Sequence, residues 1–387
     1  MEKKRNTGVV ITITVILTAA LTFMATSSFY ALVLKAKATA SFPGSERIFE
    51  VLSLLDSQYY YEVDRERLID AALDNMLNSL GDPYTTYMDS EEYGDFLSAV
   101  TGTYHGIGTV VLWDDELKAV LIAKPFPDSP AEKAGIARGD KVIKINGETL
   151  ENTDLDGAVA KIRGEIGTVV DLTILKVDSG ETVEISVERD EVHIPSVEYE
   201  MMDDIGYISI ASFDPQTGDD FKEAIKFIKE NGAKALVIDV RDNGGGLVTT
   251  VTEVANSLLE PGSMIFYTMD KNGKKVEHKS YGAGIGLPMA VLINENSASA
   301  SELLAGAIKD NTDAVLIGKN SFGKGVVQGT YPLSGGSVAK LTVEKYFTPG
   351  GSDINEKGLV PDVEVELTST EDEQLQRALE ILKEKIN

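Results

Sequence analysis

The longest apolar run of the chain lies at its N-terminal end. No charged residue occurs between positions 8 and 34, and Lys3, Lys4 and Arg5 precede this run. A helix that crosses a bilayer needs about 20 apolar residues, whereas the apolar part of a cleavable signal has about 7–15. The run therefore predicts a transmembrane anchor over 8–34, with small residues at 36–40 leaving cleavage open as the alternative. Because basic residues mark the cytoplasmic side, 1–7 would be cytoplasmic and the remainder extracytoplasmic.

Two further segments differ in the period of their apolar positions. Residues 41–98 repeat at about 3.6 positions, as at Leu68, Ala72 and Met76, which predicts a helical region. Residues 99–190 instead show short β-like runs separated by turn signals such as Asn146-Gly147, which predicts a small β domain with two short helices.

The C-terminal half alternates apolar strands with amphipathic helices. Within 195–370, the run 235–240 is fully apolar, as in a buried parallel strand, and an amphipathic helix is expected over 217–230. This alternation predicts an α/β core. The tail, 371–387, carries one apolar stripe and is expected to be a helix. We expect that one copy of the chain does not bury both this stripe and the apolar side chains of the helical region 45–88. This expectation favours a homodimer.

Composition removes several kinds of function. The formal net charge is −26 and there is no cysteine. A surface this acidic repels phosphate backbones, which argues against nucleic-acid binding. Without cysteine, disulfides, thiolate metal sites and a cysteine nucleophile are excluded. The sequence contains three histidines, too few for a mechanism that needs a histidine cluster.

Three serines, Ser297, Ser299 and Ser301, lie between a predicted strand at 290–293 and a predicted helix at 299–309. At the first turn of a helix, unpaired N–H groups and the helix dipole both favour a neighbouring negative charge. One of these serines is therefore a candidate nucleophile with an adjacent oxyanion site. The alternative is that they only cap the helix, which is a common role of serine.

A serine nucleophile needs a base. None of His105, His193 and His278 lies in a recognisable catalytic motif, which disfavours a Ser-His-Asp triad. Lys324 is the remaining candidate, because glycines on both sides allow close approach and a shielded amine loses its proton near neutral pH. Gln328 would orient the amine. The alternative is a surface lysine in a glycine turn.

A glycine-rich segment, 239–246, follows the apolar strand at its carboxyl end, where open α/β sheets place their sites. Its exposed N–H groups are suited to an oxyanion or a phosphate. No basic residue follows and the Walker spacing is missing, so the phosphate interpretation is weaker. In the alternative, the loop is only structural and Asp239 forms an ion pair with Arg241.

Together, three segments resemble the C-terminal processing peptidases, the tail-specific proteases of family S41. They are Asp-x-Arg-x-Asn-x-Gly-Gly at 239–246, Ser-Ala-Ser-Ala-Ser-Glu at 297–302 and Phe-Gly-Lys-Gly-x-Val-Gln at 322–328. The resemblance covers nearly all of the chain after the apolar run. It implies a multi-domain fold: an N-terminal helical region, an inserted PDZ β domain and an α/β core of the ClpP/crotonase type.

The resemblance also implies roles for particular residues. Asp310 matches an acidic position whose role is open. The implied site consists of the nucleophile Ser299, the general base Lys324, the supporting Gln328, and oxyanion-hole N–H donors from Ala300 and from Gly244 or Gly245.

The domain at 99–190 resembles a PDZ domain, with Gly106, Ile107 and Gly108 in its carboxylate-binding loop. Successive N–H groups in such a loop hold a C-terminal carboxylate while the adjacent strand edge pairs with the peptide. A simple β entry is the alternative for this loop. The family further implies that Arg163 couples the PDZ domain to the active site.

The sequence thus predicts a membrane-anchored, homodimeric serine endopeptidase that recognises protein C-termini and cleaves through a Ser-Lys dyad, without metal or cofactor. A non-catalytic PDZ scaffold is the first alternative. A crotonase-like acyl transferase ranks last, because no basic residues suited to a nucleotide are evident.

Overall fold

The computed structural model describes residues 43–367 and 371–386. The predicted cytoplasmic segment 1–7 and anchor 8–34 lie outside them. Within the described ranges, every helix is too short or too polar to cross a membrane. The anchor therefore stays a prediction.

The secondary structure of the described ranges follows in chain order. The α-helices are α1 Glu46–Gln58, α2 Arg65–Asn78, α3 Ser90–Thr101, α4 Pro130–Lys133, α5 Leu155–Ile162, α6 Thr217–Glu230, α7 Val248–Leu258, α8 Ala300–Asn311 and α9 Glu373–Ile386. The strands are β1 Thr86–Met88, β2 Thr103–Gly106, β3 Thr109–Asp114, β4 Ala119–Pro125, β5 Lys141–Ile145, β6 Glu148–Thr149, β7 Val169–Leu175, β8 Thr182–Glu188, β9 Asp190–His193, β10 Val197–Met202, β11 Ile205–Ile210, β12 Ala235–Asp239, β13 Met264–Asp270, β14 Lys275–Lys279, β15 Met289–Ile293, β16 Val315–Gly318, β17 Val326–Pro332, β18 Val338–Phe347 and β19 Val363–Glu364. A 3₁₀ turn lies at Ser334–Gly336.

The α/β core is built on a six-stranded sheet in the order β10-β11-β12-β15-β16-β19. All neighbours are parallel except β10, which runs antiparallel to β11. Side chains alternate between the two faces of a strand. On β12, Leu236 and Ile238 join the cluster that contains α6, α7 and α8, while Ala235 and Val237 pack with α9. Helices on both faces explain why this strand is apolar throughout.

The tail helix α9 buries its apolar stripe within the same chain. Ala378 and Leu382 are fully buried against the six-stranded sheet, and Leu375, Leu379 and Ile386 pack beside them. The expectation that this stripe needs a second copy is therefore wrong, since the helix covers the face of the sheet opposite α6–α8.

A second, antiparallel sheet contains β1, β18, β13 and β14, with β17 paired to β18. The sequence pattern does not predict this sheet because β14 and β17 are polar in large part and partly exposed, and because β13 and β18 pair across a long sequence distance. β1 comes from the segment predicted to be helical, yet it pairs with β18 through Thr86 opposite Lys340. The chain therefore contributes a core strand before it enters the β domain.

The β domain follows its predicted elements closely. Its sheet has the order β3-β4-β5-β7-β8, with β6 paired to β5. Ser129 caps α4 by accepting from the Glu132 N–H, and Asn146 and Gly147 form the expected tight turn, both with positive φ. The two strands that flank the domain, β2 and β9, pair with each other, so the chain enters and leaves at one place.

Residues 43–75 form a compact unit of their own. Helices α1 and α2 face each other there across a cleft of about 330 Å³ lined by Leu52, Leu55, Leu68 and Ile69, among others. Other apolar side chains of α1, including Val51 and Leu54, are more than half exposed.

Candidate active site

The three motifs meet at the carboxyl edge of the core sheet. The glycine loop follows β12, the serine segment follows β15 and the lysine segment follows β16. These three strands are adjacent and parallel, so their carboxyl ends lie side by side. This edge is where ligands bind in open α/β sheets.

Hydrogen bonds fasten the glycine loop to the serine segment. The Asn243 carbonyl accepts from the Ala298 N–H at 3.0 Å and from Ser301 Oγ at 2.8 Å. Asp242 accepts from the side-chain amides of Asn294 and Asn296. These two amides, Asn296 first, lower the pKa of Asp242. Ser297 and Ser301 are thus both committed to structural bonds, since Ser297 Oγ donates to the Val240 carbonyl.

Ser299 differs from its two neighbours. Its backbone has φ 57° and ψ −114°, a conformation that non-glycine residues rarely adopt and that clusters at functional sites. It immediately precedes α8, whose first residue is Ala300. Its side chain is partly exposed, whereas Ser297 and Ser301 are buried. Of the three serines, Ser299 is therefore the one placed to react with a ligand.

A buried carboxylate joins the serine segment to the lysine segment. Glu302, with 0% exposure, accepts through Oε2 from the Ser299 N–H at 2.8 Å and from the Lys324 N–H at 2.9 Å. Its Oε1 accepts from Ser321 Oγ at 2.6 Å and from the Gly323 N–H at 2.8 Å. The backbone nitrogens of Ser299 and Lys324 thus share one oxygen atom and lie within two hydrogen-bond lengths of each other.

The Lys324 amine occupies a shielded position. Its Nζ lies 4.9 Å from the centre of the Tyr84 ring, and within the described ranges it has no hydrogen-bond or ion-pair partner. Burial lowers the pKa of Lys324, the positive charge of Lys340 lowers it further, and Glu302 acts in the opposite direction. A lysine with a lowered pKa holds more of the neutral form that a general base requires.

Gln328 lies at the third position of β17. Its side-chain nitrogen is 3.4 Å from the Val326 carbonyl oxygen and 3.4 Å from Thr342 Oγ1. In the part of the chain that the structure describes, it makes no hydrogen bond to Lys324. Its role in orienting the amine stays a prediction.

The candidate oxyanion donors differ in their partners. The Gly245 N–H donates to Asn243 Oδ1 at 2.8 Å, whereas the N–H groups of Gly244 and Ala300 donate to no partner among the described residues. Gly245 has φ +108°, and a Cβ placed on it would lie 2.8 Å from Ser299 Cβ and 3.1 Å from the Ala300 nitrogen. Only glycine keeps the space beside the Ala300 N–H open.

Asp239 and Asp310, two acidic residues of the family pattern, both have structural partners. Arg241 forms an ion pair with Asp239 at 2.6 Å and with Asp372 at 2.7 Å, which confirms the structural interpretation of the first pair. Asp372 precedes α9, so this network also ties the tail to the glycine loop. Asp310 accepts from the Gly350 N–H at 2.8 Å and holds the loop that follows β18.

The three histidines lie in other elements. His105 is on β2, His193 on β9 and His278 on β14. His193 Nε2 is 3.8 Å from an Asp220 carboxylate oxygen, and His278 stacks on Phe266. Each thus has surroundings that do not involve the serine segment.

In the β domain, the predicted carboxylate-binding loop joins β2 to β3. The Ile107 carbonyl accepts from the Ala131 N–H at 2.8 Å, and the Gly108 carbonyl accepts from the Phe126 N–H at 3.0 Å. Gly108 has φ +81°, and a Cβ there would lie 2.4 Å from Ser129 Cβ. The loop is therefore held by its carbonyl groups, and β3 is an edge strand of its sheet.

Arg163 lies against this loop. Its guanidinium is 5.1 Å from the centre of the Tyr104 ring, and the same ring packs on Gly106. Burial raises the pKa of Tyr104, while the backbone amides of Thr109 and Gly108 and the charge of Arg163 lower it. Within the described residues no hydrogen bond or ion pair joins the Arg163 side chain to the core, and its coupling role stays a prediction.

Sequence reasoning missed the structural role of Glu302 and the positions of Tyr84 and Tyr346. The Tyr346 side chain is 1% exposed, and its hydroxyl lies away from solvent near the Ser299 side chain. Burial raises the pKa of Tyr346, and the Ser299 side chain lowers it. A signal existed for Glu302 alone, because Ser-x-x-Glu at 299–302 is a capping-box spacing.

Comparison with known protein families finds three matches. Peptidase family S41 matches residues 204–365, and the PDZ domain matches residues 122–176. The N-terminal domain of the activating protease CtpB matches residues 22–92.

Individual relatives extend these matches over most of the chain. The carboxy-terminal processing protease CtpA of Bacillus subtilis is 35% identical over 369 residues, covering 95% of this chain and 78% of that protein. CtpB of the same organism is 35% identical over 330 residues, covering 83% and 67%.

Among solved structures, a photosystem II D1 C-terminal processing protease has a TM-score of 0.52 and 29% identity, covering 85% of this chain and 90% of its own. An S41 protease structure from Bacteroides fragilis has a TM-score of 0.55 at 17% identity and shows the fold alone. The resemblance expected from the three motifs is confirmed. The chain belongs to peptidase family S41, among the carboxy-terminal processing proteases that carry a PDZ domain.

Proposed function

We propose that this protease is a serine endopeptidase in which Ser299 is the nucleophile and Lys324 the general base. The observation that carries the proposal is the shared Glu302 carboxylate, which binds the N–H groups of both residues. The shielded amine and its lowered pKa support the role of base. The strained backbone of Ser299 supports the role of nucleophile.

In the proposed reaction, Ser299 Oγ bonds to the scissile carbonyl carbon while its proton passes to Lys324 Nζ. The carbonyl electrons move onto oxygen, and the N–H groups of Ala300 and Gly244 stabilise that oxyanion. When the intermediate collapses, the C–N bond breaks and the ammonium gives its proton to the leaving nitrogen. Water then attacks the acyl-enzyme, passes a proton to Lys324 and releases the second product as the Ser299 hydroxyl re-forms.

Of the two glycine candidates, we assign the oxyanion role to Gly244. The Gly245 N–H already donates to Asn243, so using it would break that bond. In this proposal Gly245 instead keeps the approach to Ala300 open. Gln328 would complete the site by restricting the lysine side chain.

Substrate selection is proposed for the PDZ domain. The backbone amides around Gly106, Ile107 and Gly108 would hold the C-terminal carboxylate of a protein, and the free edge of β3 would pair with the peptide. Arg163 lies beside this loop and would couple peptide binding in the PDZ domain to the active site. The substrates are then proteins with an accessible C-terminus.

Membrane anchoring and dimerisation complete the proposal. The apolar run 8–34 would hold the protein at the cell membrane as a single-pass anchor with the catalytic part outside the cytoplasm. The exposed apolar side chains of α1 would meet a second copy. Neither metal nor cofactor has a part in this mechanism.

The dyad is tested by Ser299→Ala and Lys324→Ala in the full chain, with cleavage of an unstructured protein as the assay. Both variants should lose at least about 10³-fold in activity, because removing one member of a catalytic unit costs about as much as removing all of them. Their thermal unfolding should be little changed. A fluorophosphonate label should modify the unaltered protein and not Ser299→Ala. Lys319→Ala, at a nearby, partly exposed lysine paired with Glu366, is the control and should stay active.

Full turnover by either variant would contradict the dyad. If the unaltered protein neither cleaves nor takes the label, yet binds C-terminal peptides, the alternative of a non-catalytic PDZ scaffold is favoured.

A further inference from the structure

The Lys324 amine faces an aromatic ring that the catalytic motifs do not include. Tyr84 lies more than two hundred residues before the lysine in the sequence, on the other side of the PDZ domain. Lys324 Nζ is 4.9 Å from the centre of its ring, which is within the range of a cation–π interaction. No ion-pair partner of this amine occurs in the ranges 43–367 and 371–386, so the ring is its principal electrostatic contact apart from more distant charges.

The backbone of Tyr84 is held in a turn by hydrogen bonds. Asp82 accepts from the Tyr84 N–H at 3.0 Å and from Thr85 Oγ1 at 2.7 Å. Thr85 in turn accepts from the Thr342 N–H on β18 at 3.0 Å. The next residues form β1, which pairs with the same strand. The backbone that carries the ring is therefore fastened to β18 of the second, antiparallel sheet.

The ring favours one protonation state of its neighbour. The negative face of an aromatic ring attracts an ammonium and has little attraction for a neutral amine. In the proposed mechanism Lys324 is neutral before attack and becomes an ammonium only as it takes the Ser299 proton. An interaction that appears with the transition state lowers the barrier, whereas one that is equal in both states does not.

We propose that Tyr84 is a positioning residue of the reaction, whose ring face stabilises the Lys324 ammonium as Ser299 is deprotonated. This inference rests on the proposed Ser-Lys dyad. The hydroxyl has no part in it, because the interaction uses the ring face. Burial together with the nearby charges of Glu302, Asp82 and Glu356 raises the pKa of Tyr84, so the phenol stays neutral beside the amine.

The test compares Tyr84→Phe with Tyr84→Leu in the full chain. Phe keeps the ring and should keep kcat within about threefold, with the acidic limb of the pH–rate profile unchanged. Leu keeps apolar cover but has no ring, so kcat should fall about 5- to 30-fold, the range of a desolvated cation–π contact, with KM little changed. The acidic limb should move to lower pH, because the ammonium has lost a stabilising partner. Tyr281→Leu, at an exposed tyrosine, is the control for loss of a tyrosine.

Two results would overturn the inference: equal activity of Tyr84→Leu and Tyr84→Phe, whether unchanged or reduced, or an acidic limb that moves to higher pH in Tyr84→Leu, which would mean that the ring only excludes water. If Tyr84→Leu does not fold, as judged by thermal unfolding, Tyr84→Met takes its place. Failure of the dyad itself is a separate outcome, because Lys324→Ala would then remain active in the unaltered Tyr84 background.

Discussion

At the scale of single residues, one buried carboxylate joins the serine segment to the lysine segment. Glu302 binds four donors from two loops. Charge-assisted bonds of this kind are about twice as strong as neutral ones. This explains how a serine with an unfavourable backbone conformation persists, because strained residues need surroundings that over-determine them.

In the proposed dyad, the pH dependence of the reaction follows the pKa of Lys324, which burial lowers first and the charge of Lys340 lowers further. Lys340 lies on β18 and disfavours the ammonium form of Lys324, so its charge lowers the pKa of that amine. Lys340→Met should therefore raise the pKa of Lys324. Since the neutral amine is the active form, the acidic limb of the kcat/KM profile should move to higher pH.

Lys345→Met is the matched control, because Lys345 lies on the same strand and pairs with Asp353 at 3.4 Å. Its pH profile should coincide with that of the unaltered protein. A profile of Lys340→Met that stays in place, or moves to lower pH, would show that this charge does not act on the base.

The site could be predicted where its residues lie in one short stretch of sequence, and not where contacting residues come from distant stretches. Ser299 and Lys324 could be proposed from the sequence because each lies in a short motif after an apolar strand. Glu302 was part of such a motif, but its partners Ser321 and Gly323 come from another loop, so its function was not visible. Tyr84 had no signal, because the contact with Lys324 arises only when β1 pairs with β18.

At the scale of elements, the strands and helices with a clear period were predicted and the polar strands were not. β12 and α6 agree with their patterns because β12 is buried on both faces and α6 is buried along one side. β14 and β17 are partly exposed and carry charged, polar and glycine residues, so neither alternation nor an apolar run marks them. These strands are stabilised by pairing with other strands, and a local sequence pattern does not reveal such pairing.

The tail helix offers a test of this scale. Leu382 of α9 is 0% exposed and packs on the core sheet. Leu382→Ala should destabilise the core by about 2–5 kcal/mol, because a buried leucine leaves a cavity when shortened. The midpoint of denaturant unfolding, followed by circular dichroism, should fall accordingly.

Leu367→Ala serves as its control, since Leu367 is more than half exposed and surface changes usually stay within about 0.5 kcal/mol. Equal midpoints for the two variants would mean that α9 contributes nothing to core stability.

At the scale of the whole molecule, the N-terminal unit carries a group of exposed apolar side chains among the described residues, whereas the stripe of the tail helix is buried within the chain. Leu54 of α1 is 58% exposed and Tyr60 is 89% exposed. We expect the protein from residue 43 onwards to be a dimer at micromolar concentration, and Leu54→Glu to weaken it, because a charge at the centre of an apolar contact is costly to bury.

Analytical ultracentrifugation measures this directly. Glu50→Gln, an exposed position on the same helix, should leave the sedimentation coefficient unchanged. A protein that sediments as a monomer before any substitution would contradict dimerisation through this surface.

The pairing of β1 with β18 has a consequence for how the enzyme can be switched off. The polypeptide contributes to the protease core twice, once before the PDZ domain and once after it, so the part of the chain that holds Ser299 and Lys324 depends on a strand supplied from the other side of that domain. A single cut by another protease in the exposed stretch between β1 and β2 would leave β1 held to β18 by noncovalent pairing alone, while the PDZ domain, Ser299 and Lys324 remained intact. Such a cut would inactivate the protease without altering any residue of the three sequence motifs.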